Sequence, residues 1–352
     1  MTSAPHGEVV AVGVGARAPY GLTALQVTMS VRAQKTDPRG SHMVDKNGEP
    51  MATCRLASIA DNIMGLVRFV ALGGPALTQA AYPWLQACRS RGREAAPLPV
   101  VIALPSKHRP GVDPSLDRRL LPGLEARANV PLDHPRSKLV FGGRGAGASA
   151  FEHALDLLQH HEAVLVGGID SYFDPDVLEW LDDELRLHST TTENGFIPGE
   201  GAAFLLLCRR SRSLGLAPLG QILDVASAHE PHPYGSEEPC LGAGMTQAIR
   251  RALETIGRDT RRIGWILSDV VNERHRVEEL GFALARNHEA FLQEVVHDQP
   301  LLKTGDLGAS SAAMLAVMAM VRFETASAPS PWALVGVHSD GPERGALVVG
   351  AP

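Results

Sequence analysis

Four cysteines, fourteen histidines and a scatter of carboxylates are the groups in this chain that could do chemistry, and their spacing narrows the choice. Cys54, Cys88, Cys208 and Cys240 form no Cys-x-x-Cys pair and show no zinc-ligand spacing. They read as scattered reduced thiols of a cytoplasmic protein, and no metal site is expected. The histidines fall into no His-Glu-x-x-His pattern, and His160-His161 reads as a surface pair at a helix end. No cofactor is expected. Glu200 stands between Gly199 and Gly201, where a loop hands over to an apolar run. Glycines there permit close backbone packing, and a carboxylate buried among them needs a partner. A structural salt bridge or backbone acceptor role is favoured over catalysis. Gly308-Ala309-Ser310 opens a predicted helix whose free N–H groups could hold an anion.

The elements that must position these groups alternate along the chain. Glu8 to Gly15 reads as a buried strand, and Gly21 to Val31 has helical spacing. Ile63 to Ala87 is a long helical region that Gly73-Gly74 should break in two. Strands are predicted at Val100 to Leu104, Lys138 to Phe141, Ala163 to Gly168 and Gly201 to Cys208, with helices at Leu116 to Ala128, Ala146 to His160 and Asp176 to Leu187. The order then repeats. Leu219 to Ala228 and Ile263 to Ser268 read as strands, Met245 to Ile256 as a helix, and Glu273 to Val296 as mostly helix with a break near Asn287. Leu307 to Phe323 is an apolar helix with almost no charge, which must be buried on most sides. Ala333 to Val337 and Ala346 to Gly350 close the chain as strands around a turn at Ser339 to Glu343. The alternation argues for mixed, largely parallel sheets covered by helices, in two halves of residues 1–210 and 211–352.

Composition excludes several classes. The chain has 352 residues, 44% hydrophobic and 20% charged, enough for one large or two fused cores. Its net charge of −6 is spread without basic stripes, so a nucleic-acid partner is not expected. Met1 to Gly7 does not read as a secretory signal, and no apolar stretch is long enough to span a bilayer. A soluble cytoplasmic protein is expected, without membrane contact.

Three segments carry a resemblance. NGFIPGEGAAFLLL (Asn194 to Leu207), AVLVGGIDSYFDPDVLEWL (Ala163 to Leu181) and KTGDLGASSAAMLAV (Lys303 to Val317) are similar, in this order, to landmarks of the β-ketoacyl-carrier-protein synthases. The resemblance implies the thiolase-like fold, an α/β architecture of five αβαβα layers built from two repeated halves. It also implies an acyltransferase ancestry and a dimer formed across a first-half edge strand, for which Lys138 to Phe141 is the candidate.

What the resemblance implies about chemistry is missing from the residues. The family's nucleophilic Cys heads a buried helix, where the dipole and free N–H groups lower its pKa. The matching stretch Val140 to Ser149 has no Cys, and Ser149 is its only hydroxyl. The family's first histidine loop is replaced by Ser268 to His275, and Asp306 stands where the second histidine follows Gly. The resemblance therefore points to a non-condensing pseudoenzyme, a binding, adaptor or scaffold subunit. Its implied partners are a second copy, a paralogue, a carrier protein or a secretion-system effector. The alternative is an acyltransferase or hydrolase with a site built on Ser149, Asp269 or Asp306, with His275 a further catalytic candidate. Arg144, Gly145, Gly147, Asn272, Glu273 and Gly308 are the binding candidates. Asp269, Asn272, Glu273, Asp306 and Arg144 should converge on the old active-site region, either as a new site or as groups that satisfy one another in a shrunken pocket.

Overall fold

A computed structural model describes residues 8–256 and 262–352; the reading of Met1 to Gly7 lies outside them. The first half runs β1 (Val9–Arg17), α1 (Ala24–Arg32), β2 (Arg39–Val44), β3 (Pro50–Thr53), α2 (Gly65–Ser90), β4 (Val100–Leu104), α3 (Leu116–Ala128), β5 (Lys138–Phe141), α4 (Ala146–Leu157), β6 (Ala163–Ser171), α5 (Pro175–Asp183) and β7 (Glu200–Arg209). The second half runs β8 (Gly220–His229), α6 (Ala243–Ala252), β9 (Ile263–Ser268), α7 (Arg274–Arg286), β10 (Phe291–Asp298), α8 (Leu301–Thr304), α9 (Ser311–Glu324), β11 (Trp332–His338) and β12 (Glu343–Gly350).

The repeat is explicit in the sheet. Its order is β10-β9-β11-β12-β8-β1-β7-β6-β4-β5, the second half mirroring the first about a short antiparallel contact between Val9–Ala11 and Gly220–Ile222. Pairing is parallel only in the outer part of each half, β6-β4-β5 and β11-β9-β10, and antiparallel through the middle. The sheet is thus less parallel than the alternation of elements suggests, because β7 and β12 each return beside the preceding strand. Alternating side chains split the core into layers. Val100, Ile102 and Leu104 face α2 and α3, while Val101 and Ala103 face the inner helices α4 and α9. From the second half, Trp265 and Val335 face the same inner layer, and Ile266 and Leu334 pack under α6 and α7. These are the five αβαβα layers.

Three features differ from expectation. The helix α2 runs unbroken through Gly73-Gly74. A Cβ on Gly73 would lie 2.5 Å from Ile169 Cδ1, and one on Gly74 would lie 2.4 Å from Arg127 Cγ. These glycines let the helix approach its neighbours; they do not end it. Downstream, the helix α7 stops at Arg286, and Phe291–Asp298 forms the edge strand β10, paired parallel to β9. A hairpin of β2 and β3 was also not anticipated. Glu200 is fully buried and takes Arg68 on both oxygens, with Leu56 N and Ser171 Oγ as further donors. It is the structural acceptor its glycine setting suggests.

Candidate functional site

The helix α4 lies in the inner layer of the first half, and its head is where the chain could present a reactive group. Gly143 there has a φ of +68°, and the next side chain, Arg144, turns inward and is 3% exposed. Its Nε donates to His338 O (2.8 Å), and its Nη1 donates to Tyr172 Oη (2.9 Å) and Asp306 Oδ2 (2.9 Å). Its Nη2 pairs with Asp340. The helix head therefore holds a guanidinium. The turn between β11 and β12 closes over it, with Gly145 N donating to Ser339 Oγ (2.8 Å) and Ser339 Oγ donating to Gly142 O (2.7 Å).

Two more buried arginines complete the cluster. Arg276 Nη1 donates to Asp306 Oδ2 (2.8 Å), and its Nη2 lies 2.5 Å from Glu273 Oε2. Arg186 grips Glu273 through Nε and Nη2 (2.7 and 3.0 Å) and Asp340 through Nη1 and Nη2 (2.9 and 3.0 Å). Asp269 accepts His338 N (2.8 Å), and its other oxygen lies 2.6 Å from His338 Nδ1. Three guanidiniums, four carboxylates and one imidazole so interlock beneath a mouth where Asp340 is 35% exposed. Aromatic faces line the arginines: Phe196 lies 5.4 Å from Arg186 and 5.3 Å from Arg276, and Tyr234 lies 4.9 Å from Arg186.

The electrostatics follow from that packing. Burial works against charge on Arg144, but Asp306 and Asp340 lift it well above the ordinary guanidinium range. Burial would raise Asp340, Asp269 and Glu273, yet neighbouring cations hold all three below the usual carboxylate range. Arg144, Arg186 and Arg276 act on Asp340, while His338 and Arg144 lead on Asp269. Burial, then Asp306, push the Tyr172 phenol up, so it stays neutral and accepts from Arg144.

The sequence candidates separate accordingly. Arg144, Asp269, Glu273 and Asp306 do come together; Asn272 does not. It is exposed and donates to Glu193 O and Gly195 O, pinning that loop. Ser149 sits on the first turn of α4, and among the described residues no histidine or carboxylate is hydrogen-bonded to it. His275 is half-buried and stacks on Tyr234 at 4.4 Å, with its pKa pushed down to about 4 by burial. Space beside the glycines is taken: a Cβ on Gly145 would lie 2.6 Å from Glu343 O, one on Gly147 2.3 Å from Ala312 Cβ, and one on Gly308 2.0 Å from Asp170 Oδ2. The N–H groups at the Gly308 turn already have anions, Asp306 Oδ1 on Gly308 and Asp170 Oδ2 on Ala309. Of the cysteines, Cys54 lies beside Tyr20 Oη (3.3 Å), Cys88 is within α2, Cys208 within β7, and Cys240 precedes α6.

Arg186, Arg276, His338, Asp340 and Tyr172 are the members that sequence reasoning missed. Only Arg276 left a signal: it shares the stripe of Leu280 and Ala283 on α7, the buried face of that helix. Above the cluster lies a cavity of about 530 Å³, with Lys107, Arg109, Phe141, Arg144, Tyr172 and Asp340 in its wall. Arg109 is itself bound to Asp170 (2.6 and 3.1 Å). No helix among the described residues is long and apolar enough to cross a membrane.

No family model matches the sequence, and no curated protein matches it. Solved structures do match. The ishigamide ketosynthase/chain length factor is 19% identical, with 98% of this chain and 99% of that chain covered and a TM-score of 0.71. The ketosynthase from module 6 of the bacillaene synthase of Bacillus subtilis 168 is 14% identical, with 98% and 72% covered and a TM-score of 0.77. A ketosynthase in complex with its chain length factor from Xenorhabdus doucetiae is 14% identical over all of both chains, with a TM-score of 0.72. Together with the mirrored halves and five layers, these likenesses establish that the chain has the thiolase-like fold shared by ketosynthases and chain length factors.

Proposed function

We propose that this chain is a non-condensing, ketosynthase-like subunit that works by pairing with another protein. The observation that carries the reading is Arg144. At the helix head, where a condensing enzyme of this fold would place its thiol, a buried guanidinium is locked by Asp306, Asp340 and Tyr172. An acyl thioester has no nucleophile to meet there. The carboxylate of Asp306, in the place of a family histidine, is spent on Arg144 and Arg276. An anionic oxygen on that carboxylate repels, and cannot hydrogen-bond to, a developing oxyanion. The Cys-His-His set is thus replaced by ion pairs that stabilise the framework.

The partner is a second copy or a paralogous ketosynthase. Among the described residues β5 ends the sheet, so one side of Lys138 to Phe141 is unpaired there, and its Leu139, Val140 and Phe141 are half-buried. A structure similar to this chain is a ketosynthase complexed with its chain length factor, and another is a ketosynthase complexed with an acyl-carrier protein. Both fit a subunit that shapes a shared assembly. The test is intact mass spectrometry after incubation with acyl-coenzyme A and with acyl-loaded carrier protein. The unmodified mass is expected throughout; a stoichiometric acyl adduct on Ser149 or a cysteine overturns the proposal.

A further inference from the structure

Beside the arginine network, the second half carries a cluster that the network does not use. Glu230 follows the last residue of β8 and is 2% exposed. Its Oε2 accepts Gly244 N at the head of α6 (2.7 Å), while its buried Oε1 has no hydrogen-bond partner. Glu279, on α7 and 3% exposed, is clasped by Arg344 through Nε (2.5 Å) and Nη2 (3.1 Å). Cys240, half-buried, arrives on the loop before α6. One carboxylate oxygen from each glutamate and the Cys240 sulfur all lie within 4.8 Å of one another. The loop is pressed into place just beyond: Gly242 has a φ of +67°, and a Cβ there would lie 2.8 Å from Glu279 O.

We propose that Glu230, Cys240 and Glu279 form a site for a divalent transition metal, with zinc the best fit. The charge count supports a cation. Two carboxylates against one guanidinium leave a buried negative charge, and an orphaned carboxylate oxygen is costly to bury. Binding exchanges the Cys240 S–H bond for a sulfur–metal bond and releases the proton to solvent. Two carboxylates, one thiolate, Arg344 and a divalent ion then sum to zero. One sulfur and two oxygens, with a fourth position for water, suit zinc; a thiolate disfavours magnesium and calcium. Arg344 on Glu279 is the kind of outer partner that orients a ligating carboxylate. Without a cation, burial and then Glu279 push the Cys240 thiol up to about 11. The ligands come from three separated segments, so spacing along the sequence could not announce them.

The site ties two features together. Arg344 also donates to Ser339 O and Gly341 O, in the turn that carries Asp340. The loop that delivers Cys240 also delivers Tyr234, which covers Arg186 and His275. A bound metal would hold that loop down over the arginine cluster.

The test uses the full chain, stripped with chelator and titrated with cobalt(II) and zinc. One equivalent of cobalt is expected to give a sulfur-to-metal charge-transfer band that zinc abolishes, with release of one proton. Zinc is expected to protect Cys240 from alkylation, mapped by peptide mass spectrometry. Cys240→Ser should remove the band, and Glu230→Gln should weaken binding at least roughly tenfold, with unchanged circular dichroism. Should Glu230→Gln not fold, Cys240→Ala reads the same band. No band in the wild type, Cys240 alkylated as fast with zinc as without it, or a band that survives loss of Cys240, overturns the site.

Discussion

Replacing Arg144 by Met tests whether the buried ion pairs hold this molecule together. The change keeps most of the side chain's volume and removes its charge. Asp306 would retain Arg276 Nη1 and Gly308 N, Asp340 would retain Arg186, and Asp269 would retain His338 N. No carboxylate is left bare, which places the loss at the lower part of the ~3–5 kcal/mol seen when one partner of a buried pair is removed. Tyr172 Oη and His338 O also lose their donor, at about 1 kcal/mol or more each. The expected total is about 5 kcal/mol. Urea unfolding followed by tryptophan fluorescence and far-UV circular dichroism, with the two transitions coinciding, reads it as a lower midpoint at unchanged slope. Arg93→Met is the control: its pair with Glu162 is exposed on both sides, and its loss should fall within error. A loss below about 1 kcal/mol for Arg144→Met would refute the reasoning, because desolvation would then have cancelled everything the pairs gain.

Three further outcomes are expected. Gly147→Ala should destabilise by about 1–3 kcal/mol, since its Cβ would sit 2.3 Å from Ala312 Cβ between α4 and α9; a neutral thermal shift would count against that contact. His275 has a folded pKa of about 4, below the ordinary 6.5, so the unfolded chain takes up its proton first as pH falls. Stability should therefore drop between about pH 6.5 and 4, by up to ~3 kcal/mol, and His275→Phe, which keeps the ring on Tyr234, should flatten that window in a difference curve. Light scattering at micromolar concentration should give a dimer, alone or with a ketosynthase-type partner; a monomer in both conditions would leave the β5 edge without its proposed role.

Much of this framework is legible in the residues because burial writes itself as pattern. Ile263 to Ser268 is all apolar but for its last residue, and it is the fully buried strand β9, paired on both sides. The uncharged run that became α9 announces burial on every side, and its residues Ser311 to Val321 are all buried. Gly73-Gly74 misleads because glycine signals close approach as often as chain reversal, and only the neighbours Ile169 and Arg127 tell which. Residues 291–298 mislead because an edge strand exposed along much of its length shows no buried alternation. The site divides in the same way. Asp306 and Arg144 can be placed by their positions relative to glycine landmarks. Arg186 and Asp340 cannot, since a buried arginine and a surface arginine are the same letter, and only tertiary contact supplies the partner that makes burial affordable.

The helix α9 has one more consequence. It lies against β1, β6 and β7 from the first half and β11 from the second. During synthesis β1, β6 and β7 emerge from the ribosome long before Ser311–Glu324 does, and until then the part of their inner faces that α9 covers lies open. A nascent chain of this design stays sticky until nearly its last helix is translated, so truncated products should be recovered with holdase chaperones and not as a free, soluble first repeat.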